Sequence, residues 1–78
     1  MTWNYRIIKH RCPSRITTGE IEWFQIHEVY YDKDGKIELW SAEGCLPSGE
    51  TKEELMADVE MMMQAFDRPI LNAEDMPK

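Results

Sequence analysis

The residues most able to do chemistry in this chain are two histidines and two cysteines: His10, Cys12, His27 and Cys45. Imidazole nitrogens and thiolates are the usual ligands of tetrahedral zinc. Such sites usually take two ligands from a short motif such as Cys-x-x-Cys, and no motif of this kind occurs here. We therefore expect no metal site and no cofactor. Because the sequence has no secretory signal pattern, we also expect reduced thiols.

Nucleophilic catalysis is the second chemistry to consider, with His27 beside Ser41 on neighbouring predicted strands. A serine nucleophile also needs donors for the oxyanion, and no motif in the sequence supplies them. His27 and Glu28 are adjacent in a predicted strand, so their side chains point to opposite faces and cannot act together as base and orienting carboxylate. The sequence therefore predicts that the protein is not an enzyme. A small enzyme or metal protein using the histidines and cysteines is the third-ranked alternative.

A β-hairpin must position these groups, and its pattern runs from Ile21 to Gly44. Two runs rich in aromatic and β-branched residues flank Asp32-Lys33-Asp34-Gly35, where Gly35 can adopt the left-handed conformation that closes the turn. A loop from Lys33 to Gly35 sets the register two residues at a time. The predicted opposite pairs are Tyr31 with Ile37, Val29 with Leu39, His27 with Ser41, Tyr30 with Glu38, Glu28 with Trp40 and Ile26 with Ala42.

Two further elements complete the predicted fold. Apolar and polar residues alternate from Trp3 to Lys9, which indicates a half-buried strand. Thr51 and Glu54 form the capping-box pattern that starts a helix, and Pro69 ends it near Arg68. The prediction is an α+β protein: a three-stranded antiparallel β-meander with one C-terminal α-helix packed on one face. Residues 1–71 form a single small β-β-β-α domain, and residues 72–78 form a frayed polar tail.

The helix carries one apolar stripe at helical spacing, formed by Leu55, Val59, Met62, Met63 and Phe66. This stripe is predicted to cover the sheet face that carries Val29, Ile37 and Leu39. Two methionines at the edge of this stripe, Met56 and Met61, either widen the core or contact a partner. The opposite sheet face would stay uncovered and mixes aromatic residues with carboxylates, so we expect it to bind a partner. The predicted partner-binding residues are Phe24, Ile26, Glu28, Tyr30 and Trp40.

Composition restricts the kind of partner. The chain has 78 residues, 42% of them hydrophobic, and a formal net charge of −6. An acidic body disfavours non-specific nucleic-acid binding, and no apolar run reaches the length of a membrane span. Lys9 and the arginines near the N-terminus are expected to pair with carboxylates of the same chain. We expect a cytoplasmic protein that has neither a nucleic-acid nor a membrane partner.

Two resemblances accompany this reading. The segments Trp3-Asn4-Tyr5-Arg6-Ile7-Ile8, Ile26-His27-Glu28-Val29-Tyr30-Tyr31-Asp32 with Gly35, and Gly49-Glu50-Thr51 resemble a family of small bacterial proteins without an assigned function. Gly44-Cys45 followed by Gly49-Glu50-Thr51-Lys52-Glu53-Glu54 is similar to the strand-to-helix passage of HicB-type antitoxins. That second resemblance implies a small sheet and helix that bind a toxin, although the proline-rich approach to Gly44 is missing here.

These observations lead to two functional hypotheses. The first is a non-enzymatic protein-interaction module that self-associates as a homodimer or binds a protein partner through its aromatic sheet face. The alternative is an antitoxin-like or phage-type inhibitor whose acidic surface binds a basic protein.

Overall fold

The computed structural model describes residues 2–13, 16 and 19–77, and its centre is a long two-stranded ribbon. Strand β1 (Thr2–Pro13) pairs antiparallel with β2 (Glu20–Tyr31) along its whole length, from Thr2 opposite Tyr31 to Pro13 opposite Glu20. Strand β3 (Ile37–Trp40) pairs with only the last residues of β2. The predicted α+β class and the three antiparallel strands in sequence order are confirmed.

A fourth strand corrects the predicted meander. Strand β4 (Leu71–Asn72) runs parallel to β1 beside Ile8 and Lys9, so the sheet is mixed and its order is β3-β2-β1-β4. A short 3₁₀ turn (Ala73–Asp75) follows, and Met76 is only 7% exposed. The frayed tail predicted for residues 72–78 is therefore wrong for residues 72–77. Residue 78 lies outside the described part of the chain.

The turn before β3 forms as predicted, but the strand that follows is shifted. Gly35 has φ +81°, its amide donates to the Asp32 carbonyl at 3.0 Å, and Tyr31 lies opposite Ile37. An irregularity then places Leu39 opposite Tyr30 and Trp40 opposite Val29. Since one extra residue in a strand exchanges the faces of all residues beyond it, the predicted register after Ile37 is wrong.

The helix α1 (Lys52–Met63) continues into a 3₁₀ turn (Gln64–Asp67) and ends before Pro69. Thr51 Oγ accepts from the Glu54 amide at 3.1 Å, as the capping box predicts. The Glu54 carboxylate accepts from the amide of Glu50, one residue earlier than the predicted position. No helix in the described part of the chain is long and apolar enough to cross a membrane.

Two apolar clusters lie on opposite sides of the sheet. On the side we call the helix face, Tyr5 and Ile7 pack with Met62 and Ala65, and Ile26 packs against them. On the other side, the tail face, the cluster consists of Ile8, Val29 and Met76, with Tyr31, Ile37, Trp40, Leu71 and Ala73 packed against it.

The predicted position of the helix is wrong, because α1 covers the Ile26 side of the sheet rather than the Val29 side. Residues after the helix cover Val29 instead, and Met76 lies against it. A methionine-rich stripe fits either apolar face equally well. The sequence therefore contained no signal that selected between them.

Candidate functional site

The five predicted partner-binding residues do not share one face. Antiparallel pairing places Phe24, Ile26, Glu28 and Tyr30 on the helix face, opposite Lys9, Ile7, Tyr5 and Trp3 respectively. The register shift moves Trp40 to the tail face, where its ring lies against His27 and its Nε1 donates to the Pro77 carbonyl at 2.8 Å. Trp40 is thus a structural residue of the tail face, and the continuous aromatic surface expected from the sequence is not formed.

An apolar groove lies between the helix face and α1, and we call it the helix groove. Its volume is about 490 Å³. Four of its large apolar side chains are more than half exposed: Phe24 at 57%, Leu46 at 84%, Met63 at 60% and Phe66 at 63%. The lining carries no charged residue and consists of Ile7, Phe24, Gln25, Ile26, Gly44, Cys45, Leu46, Pro47, Val59, Met62, Met63 and Phe66.

The groove exists because the helix covers little of the sheet. In α1 only Met62 is buried, and Ala65 is buried in the turn that follows. The remaining residues of the predicted core stripe, Leu55, Val59, Met63 and Phe66, stay substantially exposed. The sequence therefore predicted the apolar stripe correctly and its burial incorrectly.

A polar contact holds the helix in this position. The Tyr5 hydroxyl donates to Asp58 Oδ1 at 2.7 Å, and the Ser48 amide donates to Asp58 Oδ2 at 3.0 Å. Burial and the bond to this carboxylate raise the pKa of Tyr5 above its usual value. Asp58 thus joins the helix to β1 and to the preceding loop. Sequence reasoning did not identify Asp58 as a structural residue. The one available signal was a carboxylate directly before Val59, a residue of the apolar stripe.

Near the end of the β1–β2 ribbon where Pro13 lies opposite Glu20, basic side chains pair with carboxylates of the same chain. Lys9 lies 2.9 Å from Glu22, and Arg11 lies 3.4 Å from Glu20 and 3.6 Å from Glu74. The Lys9 ammonium holds the pKa of Glu22 below its usual value. The predicted pairing of basic residues with carboxylates of the same chain is confirmed for Lys9 and Arg11.

The tail face contains a histidine pair that sequence reasoning did not predict. The Nε2 atoms of His10 and His27 are 2.9 Å apart, and His27 is fully buried. The His10 ring stacks on Trp23 with centroids 5.3 Å apart, and the His27 ring meets Trp40 edge-on at 5.1 Å. The alternation of β1 and β2 could have shown that His10 and His27 share a face. Whether the two imidazole rings touch depends on the register in which β1 pairs with β2.

The protons of this pair follow from its partners. His27 Nδ1 lies 3.0 Å from the Ser41 carbonyl oxygen, which can only accept, so His27 carries its proton on Nδ1. His27 Nε2 then accepts from His10 Nε2–H. Burial lowers the pKa of His27, because a charged imidazole would lose its hydration. His27 is therefore neutral at neutral pH, and its contacts join β1, β2 and the chain after β3.

Catalysis at His27 and Ser41 finds no support in the geometry. Ser41 Oγ lies 3.1 Å from His27 Nδ1, but it donates to the Glu43 carbonyl at 2.9 Å, and His27 donates to the Ser41 carbonyl instead. Ser41 lies opposite Glu28 rather than His27, since its amide bonds the Glu28 carbonyl. Within residues 2–13, 16 and 19–77, no three His, Cys, Asp or Glu side chains converge as a metal site requires.

Comparisons of the chain with protein-family models, curated proteins and solved structures gave no match. The two resemblances based on sequence motifs therefore stay predictions.

Proposed function

We propose that this chain is a non-enzymatic protein-interaction module and that its contact surface is the helix groove. The observation that carries the proposal is the exposure of Phe24, Met63 and Phe66 around an uncharged groove. Contiguous exposed apolar surface of this kind is typical of a protein-binding site. Of the residues predicted from sequence, Phe24 and Ile26 contribute to this surface.

The lining favours a protein over a small molecule. Pockets for small ligands usually combine apolar walls with several polar groups that fix the ligand's orientation. Gln25 is the one residue with an amide side chain among the twelve that line the groove, and none of the twelve is charged. A surface that offers area without convergent polar groups is suited to apolar side chains from another polypeptide.

Nucleic acid is a poor fit for the same surface. Stacking of bases on Phe24 or Phe66 would bring phosphates near α1, which carries Glu53, Glu54 and Glu60 among its acids. A binding site for single-stranded nucleic acid needs a basic groove that follows the backbone. The basic residues Lys9 and Arg11 are already paired with carboxylates.

The proposal is tested by affinity capture with a matched pair of variants. Met63 lines the groove, whereas Met61, two residues earlier in α1, is 44% exposed and lies outside the lining. Full-length tagged wild-type protein, Met63→Lys and Met61→Lys are incubated with lysate of the native host that also contains untagged copies of the chain. We expect wild type and Met61→Lys to retain the same protein, and Met63→Lys to lose it.

Two results would count against the groove as the contact surface. One is that all three proteins retain the same partner equally. The other is that none retains any protein, including the untagged copy. Equal retention of a basic protein by all three would favour the antitoxin-like or phage-type inhibitor, which uses the acidic surface instead.

A further inference from the structure

We infer that the occupant of the helix groove is a second copy of this chain, placed by a two-fold axis so that each copy covers the groove of the other. The inference rests on the proposed function and specifies its partner. Three features support it: the excess surface of the single chain, the small size of its core, and the shape and charge of the groove.

The single chain exposes more surface than a compact protein of its size. Its accessible surface is 6150 Å² for a mass of 9.3 kDa, whereas the size scaling for folded monomers gives about 5,000 Å². The radius of gyration is 14.4 Å, against about 11.5 Å for a compact domain of this length. A standard interface buries about 800 Å² on each partner. The excess of roughly 1,200 Å² is therefore enough to form one dimer interface.

The core of the described chain is correspondingly small. The buried apolar residues are Tyr5, Ile7, Ile8, Val29, Met62, Ala65 and Met76, and they are divided between two faces. Domains of this length are near the limit at which one core is sufficient, and association is a common solution. The groove would need to be covered whenever the chain is folded. A second copy is present wherever the first is made, which favours it over a partner expressed separately.

The groove also suits a self-complementary contact. A two-fold interface brings the same patch of both copies together, so it must contain both protruding and receiving features. Phe24 and Phe66 are more than half exposed, and smaller apolar residues such as Ile7, Ile26 and Val59 line the same groove. Each copy would insert its phenyl rings into the groove of the other.

Charge gives this inference a distinctive salt dependence. Each copy carries a formal charge of −6, but the groove lining has no charged residue, so no like charges would be buried. The repulsion between the two acidic bodies acts through solvent and is screened by salt. We expect the dimer to become tighter as NaCl increases. A complex with a basic protein would become weaker.

Sedimentation equilibrium of the purified full chain tests the inference, from 1 to 100 µM protein in low and high NaCl. We expect wild type and Met61→Lys to be dimers that tighten with salt. For Met63→Lys, the loss of a central contact and the introduction of a charge should raise Kd on the order of 30-fold. Phe24→Glu, on the sheet side of the groove, should have the same effect. Far-UV circular dichroism confirms that each variant is folded, as the exposure of Met63 and Phe24 predicts.

The outcomes separate this inference from the proposed function. A wild-type monomer at 100 µM would overturn the second copy as partner, and the affinity capture would still decide whether the groove binds another protein. A dimer that Met63→Lys and Phe24→Glu leave unchanged would show that the copies associate through another surface. That result would also overturn the inference.

Discussion

Acidification should destabilise this protein through the buried His27 and its contact with His10. A proton added to His27 Nε2 would place an N–H group against the Nε2–H of His10, whose nitrogen is 2.9 Å away. Arg6, directly opposite His27 in the register, adds a further positive charge on the same face. Cys45 lies beyond Ser41, with its Sγ 3.8 Å from Ser41 Oγ.

The size and sign of the effect follow from proton linkage. Burial lowers the pKa of His27 below 6.5, so the unfolded chain binds more protons than the folded chain once the pH falls below about that value. A difference of one proton changes the free energy of unfolding by about 1.4 kcal/mol per pH unit. The stabilisation is therefore complete above pH 6.5, and at most about 2 kcal/mol of it is lost by pH 5.

The assay is urea unfolding at one fixed protein concentration between pH 7.5 and 5.0. Trp23 and Trp40 lie against the pair and report unfolding by fluorescence. His27→Gln is the matched control, because an amide can still donate to Ser41 but cannot titrate. Its free energy of unfolding should depend less on pH by about one proton. The lowered pKa of Glu22 acts only below about pH 4.5, outside this range.

Two results would refute this reasoning about the histidine pair. The first is a free energy of unfolding for wild type that is unchanged or higher at pH 5.0 than at pH 7.5. The second is an equal decrease in wild type and in His27→Gln, which would assign the pH dependence to other groups.

Two further predictions concern stability, and urea unfolding at pH 7.5 measures both. Met76→Ala should lower the free energy of unfolding by about 2–4 kcal/mol because the side chain is buried. The matched control Met56→Ala, at an exposed position, should change it by less than about 0.5 kcal/mol. Equal effects of the two substitutions would show that the tail is not docked. Tyr5→Phe should lower the free energy of unfolding by about 1–2 kcal/mol, because it removes the donor to Asp58. The control Tyr30→Phe should lower it by less. An unchanged stability of Tyr5→Phe would mean that this hydrogen bond does not position the helix.

The parts of the fold that were predicted correctly depend on local patterns. Asp32 and Gly35 define a turn within four residues, and Thr51 with Glu54 defines a helix start within another four. Pro69 ends the helix through its own covalent geometry. Each of these features stabilises its own conformation, and the rest of the chain is not needed to recognise it.

The parts that were predicted wrongly depend on distant residues. The register irregularity between β2 and β3 leaves no recognisable pattern in the sequence, because a glutamate such as Glu38 can lie on either face of the sheet. The docked tail shows little pattern in the sequence, because Leu71, Ala73 and Met76 are the only apolar side chains that its described residues add to the cluster and β4 has only two residues, too few for a periodicity. The face under the helix was undetermined because both sheet faces are apolar. The position of the helix placed Phe24 and Ile26 in the groove, and the register shift removed Trp40 from their face.

The two cysteines allow the most direct test of the central claim, that two copies of this chain close the helix groove. Cys45 lines the groove, and Cys12 is exposed on the ribbon outside it. Alkylation rates of both thiols are measured by mass spectrometry in dilute and concentrated wild-type protein and in Met63→Lys. We predict that Cys45 reacts more slowly relative to Cys12 as the wild-type concentration rises, whereas Met63→Lys keeps a constant ratio. A ratio in the wild type that does not change with concentration would contradict the claim.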